Sequence, residues 1–413
     1  MKILVLSDDF PPDVAGGAGV MAFRISKEFV RQGHEVFVLA ATANREKVGV
    51  HSLEGLSVEY FHSVYHERWR SYVSLLNPAG LRAIKRVLRK YNPDVVHAHN
   101  VHAHISYSAL SLAKKAGKKV FMTAHDIMSF YPGTFTEFIN PSDFSCPQTF
   151  NYRVTAGTMY QKFRLRFNPF RNVFIRQVLR KIDGVIAVSD ALKDALSQNN
   201  IAHVSVIKNG IDTKNWQIPS ADATAFKSKF ADPASKVVLF GGRLSGSKGG
   251  ELILLAMQQV IQRVPGAILF VAGRKDFYAD RMIEKTETLN IAKSVVFTGW
   301  LGEDEMKKAY ASSNVVVTPS VCFDSFPNTN LEAFAAGKPA IATCFGGSRE
   351  VVHDGENGYI VNPFDVMTLA EKISDLLQNE EKAQSFGLQG KQLVEKEFLI
   401  KDTAKQYLDL FSK

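Results

Sequence analysis

Short apolar runs, each followed by a segment long enough for an amphipathic helix, recur along nearly the whole chain. In the first half they are KILVLS, EVFVLA, DVVHA, KVFMTA, DGVIAV and VSVIKN. The second half restarts the pattern with KVVLFGG, AILFVAG, SVVFTG, NVVVTP, PAIAT and GYIVNP. This is the βα alternation of parallel sheets, and its restart predicts two Rossmann-like domains. The length of 413 residues agrees, being long for one hydrophobic core. The polar, weakly periodic stretch DTKNWQIPSADATAFKSKFADPAS places the boundary near Thr213 to Trp216. We therefore expect an N-terminal domain over 1–213, a C-terminal domain over 214–395, and a last helix over 396–413 packing back on the first. Two helix-like segments, DVMTLAEKISDLLQN and KDTAKQYLDLFSK, close the chain.

Two such domains leave a cleft at the carboxyl ends of their strands, where doubly wound folds bind ligands. Each candidate motif falls at such an end. The stretch from Thr318 to Gly337, TPSVCFDSFPNTNLEAFAAG, reads as strand, loop, then helix. A helix start carries orphan N–H donors and the positive end of the dipole, which suit a diphosphate. Its carboxylates, Asp324 and Glu332, suit sugar or ribose hydroxyls, since beside a phosphate they would repel it. An N-cap Asp and a solvated helix Glu are the plainer reading.

In KVVLFGGRLSGSKGGELILLAM, Arg243 and Lys248 stand in a glycine-rich strand-to-helix loop. The loop nearly spells a phosphate-binding P-loop from Gly241. Ser247 occupies the lysine position, however, and Lys248 is followed by Gly249 where Ser or Thr must follow the lysine to bind magnesium, so ATPase chemistry is not expected. Two cations on a pliable backbone remain, suited to a diphosphate without a metal. Near the N-terminus, Gly17, Gly19 and Ala22 match G-x-G-x-x-A, but too far after the strand for a dinucleotide turn. Gly16 and Gly17 still let backbone approach a ligand at a helix start. His97, His99, His102 and His104 crowd one strand end. With no nearby Cys or clustered acids we read no metal there. His125, beside Asp126, stands at the end of another strand, as a cleft residue or a core histidine.

Composition sets the partners. The net charge of +9 favours anionic ones. No apolar run approaches the ~18 residues needed to span a bilayer. The start of the chain lacks the layout of a signal peptide, so a cytoplasmic protein is expected. Cys146, Cys322 and Cys344 show no CxxC spacing and are read as reduced thiols. From Gln148 to Lys181 the chain carries eight Arg or Lys, Arg164, Arg166 and Arg171 among them, many aromatics and no acid. Such a segment can lie on an anionic membrane surface or pack as a solvated basic helix. The surrounding sheet pattern is no nucleic-acid recognition module.

Together, PPDVAGG, DVVHAHN, TAHD, GVIAVSD, VIKNGID, GGRLSGSKGG, FTGW, PSVCFDSFPNTNLEAFAAGKP and GGSREVVHDGENGYIV make the whole chain resemble the retaining glycosyltransferases of family four. That family has the GT-B fold, two Rossmann-like domains facing each other across a deep cleft. One departure is that Asp324 stands in the first place of the family's E-x7-E motif, with Glu332 in the second. The resemblance implies that Gly16 and Gly17 border the donor phosphates and that Arg243 and Lys248 bind the diphosphate. It implies that Glu332 holds the ribose, while Asp324, with backbone around Ser325 and Phe326, faces the sugar. The amides of Asn330 and Leu331 would meet phosphate, Pro327 having no N–H to offer. His125 would touch the donor sugar, Gly299, Trp300 and Leu301 would line the base pocket, and Asn209 would floor the cleft.

The activity so implied is retaining, metal-independent transfer from a nucleoside-diphosphate sugar to a glycan or lipid-linked acceptor, with no cofactor. An epimerase of the same fold and a non-catalytic nucleotide-sugar-binding protein are the competing readings. The partners expected are the donor, the acceptor and the face of an anionic membrane, with no nucleic acid. Oligomeric state leaves no mark on the sequence.

Overall fold

All the apolar runs named above form strands. In the computed structural model, which describes residues 1–12, 14, 16–146, 149–241, 246–274 and 276–413, the chain divides into two units. The first comprises Met1–Phe135, Asn151–Asn209 and Ile400–Lys413; the second comprises Thr136–Phe150 and Gly210–Leu399.

The first unit holds β1 (Lys2–Ser7), β2 (Glu35–Thr42), β3 (Gly49–Leu53), β4 (Leu56–His62), β5 (Val95–His99), β6 (Lys119–Ala124), β7 (Gly184–Ala187) and β8 (Val204–Val206). They form one sheet in the order β3-β4-β2-β1-β5-β6-β7-β8, parallel except where β3 meets β4. Strand β1 shows why the runs are so apolar. Ile3, Leu4, Val5 and Leu6 are all fully buried, because side chains on both faces of a helix-covered sheet point into a core. Helix Gly17–Arg31 supplies Met21, Ile25 and Phe29, four residues apart on one stripe, to that core.

Helix Ile400–Ser412 joins the same core through Ile400, Ala404, Tyr407, Leu408 and Phe411. Phe411 packs on Phe29, His97 and Phe121, with ring centroids 5.9, 5.1 and 4.9 Å away.

The second unit holds β9 (Lys236–Gly241), β10 (Ala267–Ala272), β11 (Val295–Gly299), β12 (Val315–Thr318), β13 (Ala340–Thr343) and β14 (Gly358–Val361). All are parallel, in the order β11-β10-β9-β12-β13-β14. This is the doubly wound order that reverses between its first and fourth strands.

The structure departs from the sequence reading in four places. First, β3 and β4 form an unforeseen hairpin, turned by Glu54 and Gly55, both at positive φ as a tight two-residue turn needs. Second, helix Glu380–Glu397 lies between the two expected closing helices, started by the Asn379 side chain accepting from the Lys382 N–H. Third, the expected boundary residues Thr213–Trp216 form a 3₁₀ turn inside the second unit. Trp216 is buried there edge-on to Tyr310, so the chain changes unit at Asn209–Gly210 instead. Fourth, 136–150 belongs to the second unit, where Phe138 and Phe150 pack on Phe345.

Phe411→Ala removes a side chain that plugs the first core. We expect it to destabilise that unit by about 3–5 kcal/mol. Urea denaturation measures this, and a loss below about 1 kcal/mol would mean the terminal helix is not part of the core.

Candidate functional site

In the second unit the sheet reverses between β9 and β12, and the loops leaving these two strands are locked together. Gly249 ends the first loop at φ +76, and a Cβ there would lie 2.0 Å from the Pro319 carbonyl oxygen, so only glycine fits. The Val321 N–H donates to the Ser247 carbonyl at 2.8 Å. Across this seam Lys248 Nζ lies 2.6 Å from Asp324 Oδ2, which also accepts from Ser320 Oγ at 2.7 Å. Asp324 is pinned from behind as well. Its N–H donates to the Phe345 carbonyl, its own carbonyl accepts from the Gly347 N–H, and a Cβ on Gly346 would come within 2.1 Å of it. Arg243 lies outside the described residues.

Helix Asn328–Ala335 starts just after Pro327 and places three further candidates. The Glu332 carboxylate accepts from the Tyr310 hydroxyl at 3.0 Å. Asn330 is fully buried. Its Oδ1 accepts from Thr318 Oγ1 at 3.0 Å, its Nδ2 has no partner among the described residues, and its backbone N–H donates to the Pro327 carbonyl. Leu331 is a core residue, which leaves only its backbone for a ligand. Ser325 and Phe326 are buried too, Phe326 against Phe398. Gly299, the last residue of β11, turns the chain at φ +77. The half-exposed ring of Trp300 follows, with the Arg274 guanidinium 4.7 Å above it, and then Leu301.

In the first unit the sheet reverses between β1 and β5. Gly16 is the extended residue that enters helix Gly17–Arg31, whose first turn has no acid to compete with an anion. At the ends of β5 and β6 the histidines form a chain. His125 Nε2 is 2.8 Å from His99 Nδ1, His99 Nε2 is 3.2 Å from His97 Nδ1, and His97 Nε2 is 2.8 Å from Thr123 Oγ1. Thr123 in turn donates to the Tyr407 hydroxyl at 3.2 Å.

Burial pushes the pKa of His97 down to about 3, that of His125 to about 4, and that of His99 well below the usual imidazole value. Neighbouring imidazoles add to the effect, against the pull of Asp126 on His125. All three rings are thus neutral near pH 7. A neutral imidazole has one N–H and one lone pair, so the direction of the whole chain decides which of the two His125 shows at Nδ1. Burial alone would raise the Asp126 carboxyl. His102, 3.0 Å away, and the Met128 N–H outweigh it and hold the group below its ordinary value. His104 is apart, edge-on to Tyr65, and Asn209 is buried as the last residue before the chain changes unit.

The family model for glycosyl transferases group 1 matches residues 222–393, and that for glycosyltransferase family 4 matches residues 15–215. This chain is a family four, group 1 glycosyltransferase. It is 25% identical over 430 residues to a glycogen synthase of Mycobacterium tuberculosis, covering 99% of this chain and 94% of that one. Among solved structures, sucrose-phosphate synthase from Thermosynechococcus elongatus matches with TM-score 0.79 at 20% identity over 100% of this chain and 98% of that one. HepE of Anabaena, in complex with UDP and glucose, matches with TM-score 0.73 at 20% identity over 100% and 99%. The fold of this glycosyltransferase is GT-B.

Sequence reading missed the residues that hold the glycosyltransferase's candidates in place. Ser320 was within the quoted motif but carried no charge to mark it. Tyr310 and Thr318 belong to a helix and a strand, and Tyr407 comes from the far end of the chain.

The histidine chain yields a pH prediction. In the unfolded chain these groups protonate near 6.5, their ordinary value, but in the folded one only far lower. Their stabilisation is complete above 6.5 and is lost as pH falls through the window down to about 4 for His125 and about 3 for His97. We expect unfolding free energy to drop in that window by up to about 1.4 kcal/mol per pH unit for each histidine. Urea melts across the window measure the slope, and a flat profile would contradict neutral, buried rings.

Proposed function

We propose that this glycosyltransferase moves a sugar from a nucleoside-diphosphate donor to a glycan or lipid-linked acceptor, with retention of configuration and without a metal. The observation that carries the reading is the Lys248–Asp324 pair at the reversal of the second sheet, beside the start of helix Asn328–Ala335. A diphosphate leaving an oxocarbenium-like sugar gathers negative charge. Lys248 and the helix start supply positive potential where that charge grows, and Arg243 is the further cation that the resemblance assigns to it.

The carboxylate then has a clear place. Asp324 beside a phosphate would repel it, but tied to Lys248 it is neutralised on one oxygen and keeps lone pairs for sugar hydroxyls. Glu332, steadied by Tyr310, is suited to ribose hydroxyls, and Trp300 offers a flat face to a base. The buried, unpartnered Asn330 Nδ2 adds a donor near the helix start. The resemblance assigns His125 to the sugar, and its neutral imidazole would add no charge there. Retention follows if the acceptor attacks the face the diphosphate leaves and the departing phosphate takes the acceptor's proton. No enzymic nucleophile is needed. The glycan acceptor is supported by the similarity to a glycogen synthase.

Thermal-shift screening of UDP-, GDP-, ADP- and dTDP-sugars identifies the donor by mass action, and transfer is then assayed with it. Activity should persist in EDTA, with the product anomer matching the donor's by NMR. Activity lost in EDTA and restored by Mn²⁺ would refute the metal-free mechanism, and an inverted product would refute retention.

Free nucleoside diphosphate tests the ion pair. Lys248→Ala should weaken its binding by roughly ten- to a hundredfold, the loss of one charge-assisted contact plus an uncompensated carboxylate. Adding Asp324→Asn should recover part of that loss, a coupling on the order of 0.5–3 kcal/mol. Strict additivity in titration calorimetry would mean that the pair serves only the fold.

A further inference from the structure

Two stretches of the first unit, 67–76 and 160–173, are sewn into one surface. The Tyr72 hydroxyl donates to the Phe167 carbonyl at 3.5 Å, Asn168 Nδ2 donates to the Ser71 carbonyl at 3.3 Å, and Tyr160 packs edge-on to Phe167. The pin beneath is Arg171. It is 1% exposed, donates to Ser74 Oγ and to the Met128 carbonyl, and is pushed down by burial to a pKa of about 10, so it stays charged. Arg171 therefore cannot be one of the cations that meet an external surface, as the sequence alone suggested.

Above that pin the surface is apolar and cationic at once. Leu165 is 99% exposed, Phe170 75% and Trp69 54%, and Tyr160 and Leu76 are exposed beside them. Leu165 stands between Arg164 and Arg166 in a 3₁₀ turn, with Lys162 just before it, all three cations being exposed. No acidic residue occurs between 149 and 181, and Glu67 at the rim is paired with Arg70 at 3.3 Å. Side chains this large are costly to leave in water, and an exposed apolar cluster ringed by one sign of charge marks an interaction surface. An oppositely charged protein would meet the arginines, but Leu165 projects singly between two cations, the layout of a residue dipping into acyl chains while its neighbours hold headgroups.

We propose that this surface docks the glycosyltransferase on an anionic phospholipid bilayer, with Leu165 and Phe170 inserted and Arg164, Arg166 and Lys162 on the headgroups. The inference stands apart from the transfer chemistry, and its test contains no nucleotide. In flotation with phosphatidylglycerol–phosphatidylcholine vesicles, the protein should rise with the lipid at low salt and less as salt increases, while vesicles of phosphatidylcholine alone leave it behind.

Arg164→Gln with Arg166→Gln should lower partitioning roughly thirtyfold. Leu165→Ser with Phe170→Ser should lower it at least about tenfold at every salt concentration. All four side chains are exposed, so unchanged circular dichroism melts will confirm that the variants fold. No flotation of the wild-type protein at low salt overturns the proposal, even if a heparin or single-stranded DNA column retains it. Flotation that survives in both double variants overturns it equally.

Discussion

The candidate site depends on one close approach, the backbone of Gly249 against the carbonyl of Pro319. No side chain fits between them, and the contact brings the loop after β9 against the loop after β12 where the sheet reverses. The Lys248–Asp324 pair hangs from that seam, whereas Glu332 is placed by its own helix and Tyr310. Lys248 reaches Asp324 across the seam, where the Val321 N–H donates to the Ser247 carbonyl and Ser320 donates to the same carboxylate. A seam of backbone contacts costs no side-chain entropy, so it holds a 2.6 Å ion pair more rigidly than two long side chains at a surface would.

The first unit solves a different problem, how to keep a histidine uncharged at a strand end. A single buried imidazole would leave a donor or acceptor unmet, at a cost comparable to a lost hydrogen bond. Here each ring satisfies the next, and the run ends on Thr123 and Tyr407. The terminal helix is thereby part of the polar network as well as of the core, since Tyr407 packs on Phe29 while its hydroxyl closes the chain.

How much of this could be read in the residues depends on the range of the interaction. The strands were legible because helix-covered parallel strands are apolar along their whole length. The hairpin was not. Strand β4 carries Glu59, which breaks the apolar run yet is buried and bonded to Arg86, Lys90 and Tyr91; burial alone would raise its carboxyl, but Lys90 and Arg86 outweigh it and hold the group low. Helix Glu380–Glu397 was hidden by Gly387 and Gly390, which look like breakers but stand where the helix presses on Gly337 and Phe334. In the site, Lys248, Asp324 and Glu332 stand out as charges in glycine- and proline-bearing loops. Their supports do not, because Tyr310 is 22 residues from Glu332 and Tyr407 is 284 from Thr123.

Asp324 shows how the two levels combine. Read in sequence, it is a shortened version of the family's glutamate, with an open consequence for the sugar. In the structure its backbone cannot shift, since Phe345, Gly346 and Gly347 fix it from one side. With the backbone fixed, side-chain length and rotamer set where the carboxylate lies. At Asp length it stops on Lys248 and Ser320. The shorter acid sits in an ion pair, and the lysine it holds is the cation proposed to face the leaving diphosphate.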